Sequence, residues 1–162
     1  MTDIALVFQE SHLDFDFVMA GGDLQGDRGI NTPLIISIFT DRLAKTGDRI
    51  PDALPGMAGD PRGWWGDAID ADGEETGSRL WLLNREKQLD EVVNRARKYA
   101  AEAVAWLKNE GLADEVAAHA RAVAAGWLEI SIECRNPRFG EDRTARWHVF
   151  FDYSAGNVRF DF

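Results

Sequence analysis

Leu89-Asp90-Glu91-Val92-Val93-Asn94-Arg95-Ala96-Arg97-Lys98-Tyr99-Ala100-Ala101-Glu102-Ala103-Val104-Ala105-Trp106-Leu107, and Asp114-Glu115-Val116-Ala117-Ala118-His119-Ala120-Arg121-Ala122-Val123-Ala124 beyond it, decide the fold. In the first run Leu89, Val92, Val93, Ala96, Ala100, Ala103, Val104 and Leu107 recur at three- and four-residue steps. That spacing predicts a long amphipathic helix, ended by Gly111. Glu91 stands four residues before Arg95, the favourable order for an exposed pair. The alanine-rich second run predicts another helix over about Asp114 to Ala124, ending at Gly126.

Outward from these helices the period changes to two. Leu128, Ile130, Ile132 and Cys134 alternate with Glu129, Ser131 and Glu133. Trp147, Val149, Phe151 and Tyr153 alternate with Arg146, His148 and Asp152, and a turn at Ser154-Ala155-Gly156-Asn157 leads to a final strand, Val158 to Phe162. On the N-terminal side Ile4, Leu6 and Phe8 form a short strand. Leu13, Phe15 and Phe17 alternate with Asp14 and Asp16, a strand with one wet face. Gly21-Gly22 breaks it, and Gly26 to Gly29 continues the loop. Thr32-Pro33 reads as a helix start with Thr as cap, followed by Leu34, Ile35, Ile38, Phe39 and Leu43 on one face; the β-branched pair Ile35-Ile36 leaves a strand open. Strands, helices, then strands read as α+β: an antiparallel sheet with two to three helices packed on one face.

Thr46 to Glu75 holds most of the prolines and many glycines, a loop of a length that is usually functional. It contains Asp60-Pro61-Arg62-Gly63-Trp64-Trp65-Gly66-Asp67 and runs on to Gly77-Ser78-Arg79-Leu80-Trp81, so half of the six tryptophans fall here. Each indole needs apolar cover and a partner for its N–H. Either Trp64, Trp65 and Trp81 lock the loop onto the domain, or they form a docking knob with Arg62 and Arg79, since interface hot spots favour Trp and Arg. The end of the chain offers the same pair of readings. Val158, Phe160 and Phe162 form an apolar stripe that either completes its own sheet or pairs with a strand from a neighbour.

The totals narrow the function. At 162 residues, 45% apolar and 28% charged, one soluble domain is expected. A net charge of −10 argues against nucleic acid and anionic membranes as partners. The single cysteine, Cys134, allows no internal disulfide, and the N-terminus predicts neither a signal peptide nor a membrane span. His12, His119 and His148 lack metal-ligand spacing. Asp70-Ala71-Asp72-Gly73-Glu74 opens like a calcium loop but puts Glu75 in place of the glycine and Trp81 in place of the bidentate glutamate. No nucleophile elbow, phosphate loop or dinucleotide fingerprint is present. No metal, cofactor or small-molecule substrate is therefore expected. Paired carboxylates for glycoside hydrolysis remain an alternative, because an acidic chain offers many pairs.

Ile38-Phe39-Thr40-Asp41-Arg42, then Arg62-Gly63-Trp64-Trp65-Gly66-Asp67, then Gly77-Ser78-Arg79-Leu80-Trp81-Leu82-Leu83 before a long helix resemble a Mu-like phage tail family, the one typified by gene product forty-six of phage Mu. The resemblance runs from about Ile4 to Phe151. It implies a non-enzymatic part of a contractile-tail baseplate, similar to the sheath-initiator proteins that sit in the inner wedge and offer strands to the first sheath ring. On that basis residues 1–162 are one wedge domain with a long loop at about 46–78. Its implied partners are other wedge proteins and the sheath and tube proteins. Its implied place is the virion baseplate, with assembly in the host cytoplasm. Members of such families have also been described as lysozyme-like, which keeps a peptidoglycan hydrolase as the alternative.

Overall fold

A computed structural model describes residues 3–9, 14–27, 30–51, 60–69, 75–84, 86, 90–136, 144–152 and 157–161. The alternating N-terminal run becomes a folded ribbon. Strand β1 (Asp3–Ile4) and β2 (Leu6–Gln9) run outward, and β3 (Asp14–Phe17) returns antiparallel to β2, with Leu6 opposite Phe17 and Phe8 opposite Phe15. Next, β4 (Met19–Ala20) turns at Gly21-Gly22, both at positive φ, into β5 (Asp23–Leu24), and β6 (Gly26–Asp27) pairs with β1. Gly26 and Asp27, expected in a loop, are therefore a short strand. Backbone bonds from Ala5 to Gln25 O (2.8 Å) and Gln25 to Val18 O (2.7 Å) stitch the pieces together.

Helix α1 (Asn31–Phe39) forms where Thr32-Pro33 predicts one, but Thr32 is not its cap. The Asp27 carboxylate accepts the Thr32 N–H at 2.7 Å, satisfying a donor that a helix start leaves orphaned. The Thr32 hydroxyl donates to Ile4 O (2.8 Å) and accepts from Leu6 N–H (3.1 Å), tying the helix to the ribbon. Leu34, Ile35 and Ile38 are buried; Leu43 lies beyond the helix and is exposed, outside the face predicted for it.

The predicted long helix is α2 (Asp90–Val104), continued after Ala105 by the single turn α3 (Trp106–Asn109), with Gly111 at φ 65°. Val92, Ala96, Tyr99, Ala100, Ala103 and Val104 face the core. The second predicted helix is wrong. Residues Glu115–Ala124 are strand β7, paired antiparallel to β8 (Trp127–Arg135) through the two-residue turn Ala125-Gly126. Ala has the highest helix propensity, but tertiary pairing overrides so weak a preference. Strand β9 (Thr144–Asp152) and β10 (Asn157–Asp161) complete a four-stranded antiparallel meander in the order β10-β9-β8-β7.

The register places Ile130 between Ala120 and Val149, and Ile132 between Ala118 and Trp147. This face meets α2, and α1 packs on α2. Cys134 lies fully buried in that layer, where burial pushes its thiol up to about 11. The Trp147 indole donates to Asn31 Oδ1 at 2.8 Å, joining the sheet to the start of α1. The opposite face carries the cross-strand ion pairs Arg135–Glu115 at 2.6 Å, Arg146–Glu133 at 2.9 Å and Arg121–Glu129, and a hydrogen bond joins His148 Nδ1 and Glu129 Oε1 at 2.8 Å. The described part is thus α+β with helices on one face of an antiparallel sheet. No described helix is long and apolar enough to cross a membrane.

Candidate docking surface

The tryptophan loop starts as the chain leaves α1. Residues 41–44 run extended between two other segments. On one side Ser78 N–H donates to Thr40 O (2.8 Å) and Arg42 N–H to Ser78 O (2.9 Å). On the other, Gly63 N–H donates to Asp41 O and Ala44 N–H to Pro61 O, both at 3.1 Å. Gly77 sits at φ 96° with its α-carbon against the Thr40 carbonyl, where a Cβ would collide with backbone. These four backbone hydrogen bonds tie Ser78 and residues 61–63 to the segment that leaves α1.

Arg79 anchors the inner side. It is 5% exposed, and its Nη1 donates to both Asp48 oxygens (2.8 and 2.7 Å) while Nη2 donates to Glu102 at 2.5 Å on α2. Its guanidinium also lies 4.5 Å from the Tyr99 ring centroid. A buried arginine needs such partners, because an unpaired charge there is costly. Burial alone would raise the Asp48 carboxyl, but the bonds from Arg79 and from Lys45 N–H hold it below its ordinary value. The 3₁₀ turn Leu80–Leu83 that follows is wholly buried. Within it Trp81, 5% exposed, donates its indole N–H to Arg42 O at 2.8 Å.

Arg62 covers the outer side of Trp81, with its guanidinium 5.5 Å from the ring and Nη1 2.5 Å from Asp41 Oδ2. Burial raises the Asp41 carboxyl above its ordinary value, against the pull of Arg62. Arg62 holds φ at 58°, the left-handed region, a conformation that costs about 1 kcal/mol outside glycine. Its N–H donates to Asp60 Oδ1 at 2.6 Å.

Immediately after this clamp, the other two tryptophans turn outward. Trp64 is 46% and Trp65 74% exposed, with ring centroids 5.4 Å apart and planes at 46°. The Trp64 ring lies across Gly66, where there is no room for a Cβ. A 3₁₀ turn, Trp65–Ala68, ends beside Ile69, also 74% exposed. The Asp67 carboxylate accepts the Thr76 N–H at 3.1 Å and closes the loop. The loop therefore divides the residues singled out in the sequence. Arg62, Arg79 and Trp81 come together as a cluster, whereas Trp64 and Trp65 project from it. Val158 and Phe160 lie on β10, opposite Phe151 and Val149 of β9; Phe162 lies outside the described residues. Among the described strands β10 and β7 are the two edges of the sheet.

Asp41, Asp48, Tyr99 and Glu102 were not singled out. They lie 20 or more residues from Arg62 or Arg79, the arginines they meet at the loop, and no local spacing signals those contacts. Between α1, α2 and residues 75–77 lies a cleft of about 390 Å³. Two carboxylates, Glu75 and Glu102, line it, but Glu102 is already engaged by Arg79. The Trp106 indole donates to Ser37 Oγ at 2.9 Å, and that hydroxyl donates to Pro33 O at 2.8 Å. Among the described residues no group of three His, Cys, Asp or Glu is placed to hold a metal ion, and His119 and His148 stand on the open face of the sheet. His12 and residues 70–74 lie outside the described residues.

The class these features define is a small α+β protein that presents aromatic side chains on a loop pinned by one buried arginine, Arg79, and one half-buried, Arg62. The chain belongs to the family described as phage protein GP46, whose profile matches residues 30–141, from the start of α1 to beyond β8. It is 39% identical over 137 residues to the baseplate protein gp46 of Escherichia phage Mu, covering 85% of this chain and 89% of that one. It is 38% identical over 116 residues to the Mu-like prophage FluMu protein gp46 of Haemophilus influenzae, covering 72% and 73%.

Proposed function

We propose that this chain is a structural component of the baseplate of a contractile phage or prophage tail, with a wedge or sheath-initiator role carried out through protein–protein contacts and strand addition. The observation that carries the reading is its 39% identity to a protein named as a baseplate component, across 89% of that protein's length. The geometry is consistent with it. Trp64, Trp65 and Ile69 are held in solvent by a fixed scaffold, which lowers the entropy lost when they enter a partner's pocket. Strand β10 sits at a sheet edge, where backbone donors and acceptors can pair with another chain. On this reading residues 1–162 form one wedge domain. Its partners are other wedge proteins and the sheath and tube proteins, and it resides in the virion baseplate after assembly in the host cytoplasm. The family resemblance of the fold to sheath initiators belongs to the same proposal.

Deletion of Val158–Phe162 tests the strand part. The expected product is a folded monomer by circular dichroism and sedimentation that no longer supports sheath assembly in a complementation assay. An unfolded product, or normal sheaths, would sink strand addition. A turbidity assay on bacterial cell walls tests the remainder: no clearing is expected, and clearing by the purified protein would instead establish the hydrolase.

A further inference from the structure

The N-terminal ribbon has a property that neither the family profile, which begins at residue 30, nor the tryptophan loop accounts for. Alternation along the ribbon puts Leu6, Phe15, Phe17 and Met19 on one face, and the register adds Leu24 opposite Met19. Part of that face is used. Leu6 and Phe15 pack against the core, with the Phe15 ring 4.9 Å from Phe39, edge to face. The rest continues past the core: Phe17 is 56%, Met19 63% and Leu24 44% exposed. Three large apolar side chains contiguous on one surface are unusual for a chain that works alone.

Charge identifies what covers them. Between residues 3 and 27 the sequence holds Asp3, Glu10, Asp14, Asp16, Asp23 and Asp27 and no lysine or arginine. The ribbon thus supplies six units of a whole-chain net charge of −10. Asp27 is engaged by Thr32, but Asp16 and Asp23 are exposed on the ribbon face that the register sets opposite the apolar row, and each accepts the next N–H of its own strand, Phe17 and Leu24 at 2.8 Å. A second copy of this ribbon, a nucleic acid or an anionic membrane would bring like charge against it, which opposes association. We infer that the face formed by Phe17, Met19 and Leu24 docks on a protein partner that brings an apolar surface together with a net positive charge from lysine and arginine. This surface is separate from the tryptophan loop and from β10, so its failure leaves the baseplate reading untouched.

The full-length protein is titrated, with its Met19 and Leu24 methyl groups followed by NMR, against a synthetic amphipathic hairpin peptide of leucine and lysine, and against a counterpart with glutamate replacing lysine. The expected result is methyl shifts at Met19 and Leu24 with the lysine peptide only. That affinity weakens at least about tenfold between 50 and 500 mM salt. The Phe17→Ser/Met19→Ser/Leu24→Ser variant loses at least about tenfold in affinity. Asp16→Asn/Asp23→Asn keeps both turn acceptors and lowers affinity by removing charge alone, which holds the test open if the triple variant misfolds. Shifts centred on Trp64 and Trp65, equal binding of the glutamate peptide, or unchanged affinity in both variants would overturn the inference. So would concentration-dependent dimers with shifts at Met19 in the absence of peptide, which would make the occupant a second copy.

Discussion

Trp81 and Trp65 are sixteen positions apart in the same loop system, yet one is 5% and the other 74% exposed. The difference lies in what surrounds each indole. Trp81 follows Arg79, whose two acids and one aromatic ring hold it inside, and Arg42 O accepts the Trp81 N–H. Trp65 follows Gly63 and Trp64, in a turn whose anchors are backbone bonds and the Asp67 carboxylate. One indole therefore holds the loop, and the other is held out by it. Residue type alone does not distinguish support from display.

Substitutions should separate the two roles. Trp81→Ala should cost about 4 kcal/mol of stability, from lost burial and the cavity left behind, measured by urea unfolding. Arg79→Ala should cost about 3 kcal/mol, because Asp48 and Glu102 lose the charge that compensates them. If either variant is as stable as the parent, the support half of the comparison fails. A smaller effect follows from pH. Asp48 is held below its ordinary value of 3.8, so its contribution is present above that value and is lost as pH falls through the lower folded value. The stability difference between the parent and Asp48→Asn should therefore shrink on acidification below about pH 4. Asp41 works in the opposite sense. Its raised folded value means that its protonation favours the native state as pH falls through that value. The smallest stability effect belongs to Trp64→Ser/Trp65→Ser, within about 0.5 kcal/mol of the parent, although tail assembly in a complementation assay should fail. Marked unfolding of this variant would show that the exposed pair also supports the loop.

What could be read from the sequence follows the contrast between faces. Helix α2 was legible because its apolar and charged positions separate at a period of 3.6. Strand β8 was legible because Leu128, Ile130, Ile132 and Cys134 alternate with polar residues. Strand β7 was not, because alanine occupies both faces: Ala118 and Ala120 turn toward the helices while Ala117 turns away. Without hydrophobic contrast the period of two disappears, and only the high helix propensity of alanine remains. Gly126, at φ 82°, serves a hairpin turn as well as it would serve a helix end, so it could not arbitrate. At the loop, the richness in tryptophan marked the region, but the assignment of each indole depends on Asp41, Asp48 and Glu102, which reach it from distant segments. Thr32 shows the same limit on a smaller scale. Its position suggested a cap, and Asp27, on the ribbon, took that role.

Cys134 gives these comparisons a common readout. Its sulfur is fully buried in the core, and its ionisation is pushed up to about 11, so thiol reagents at neutral pH meet almost no thiolate in the native protein. Modification must wait until the sheet opens, and its rate then counts those openings. A single native atom thereby clocks the unmaking of the whole fold, with no label added to the surfaces that dock.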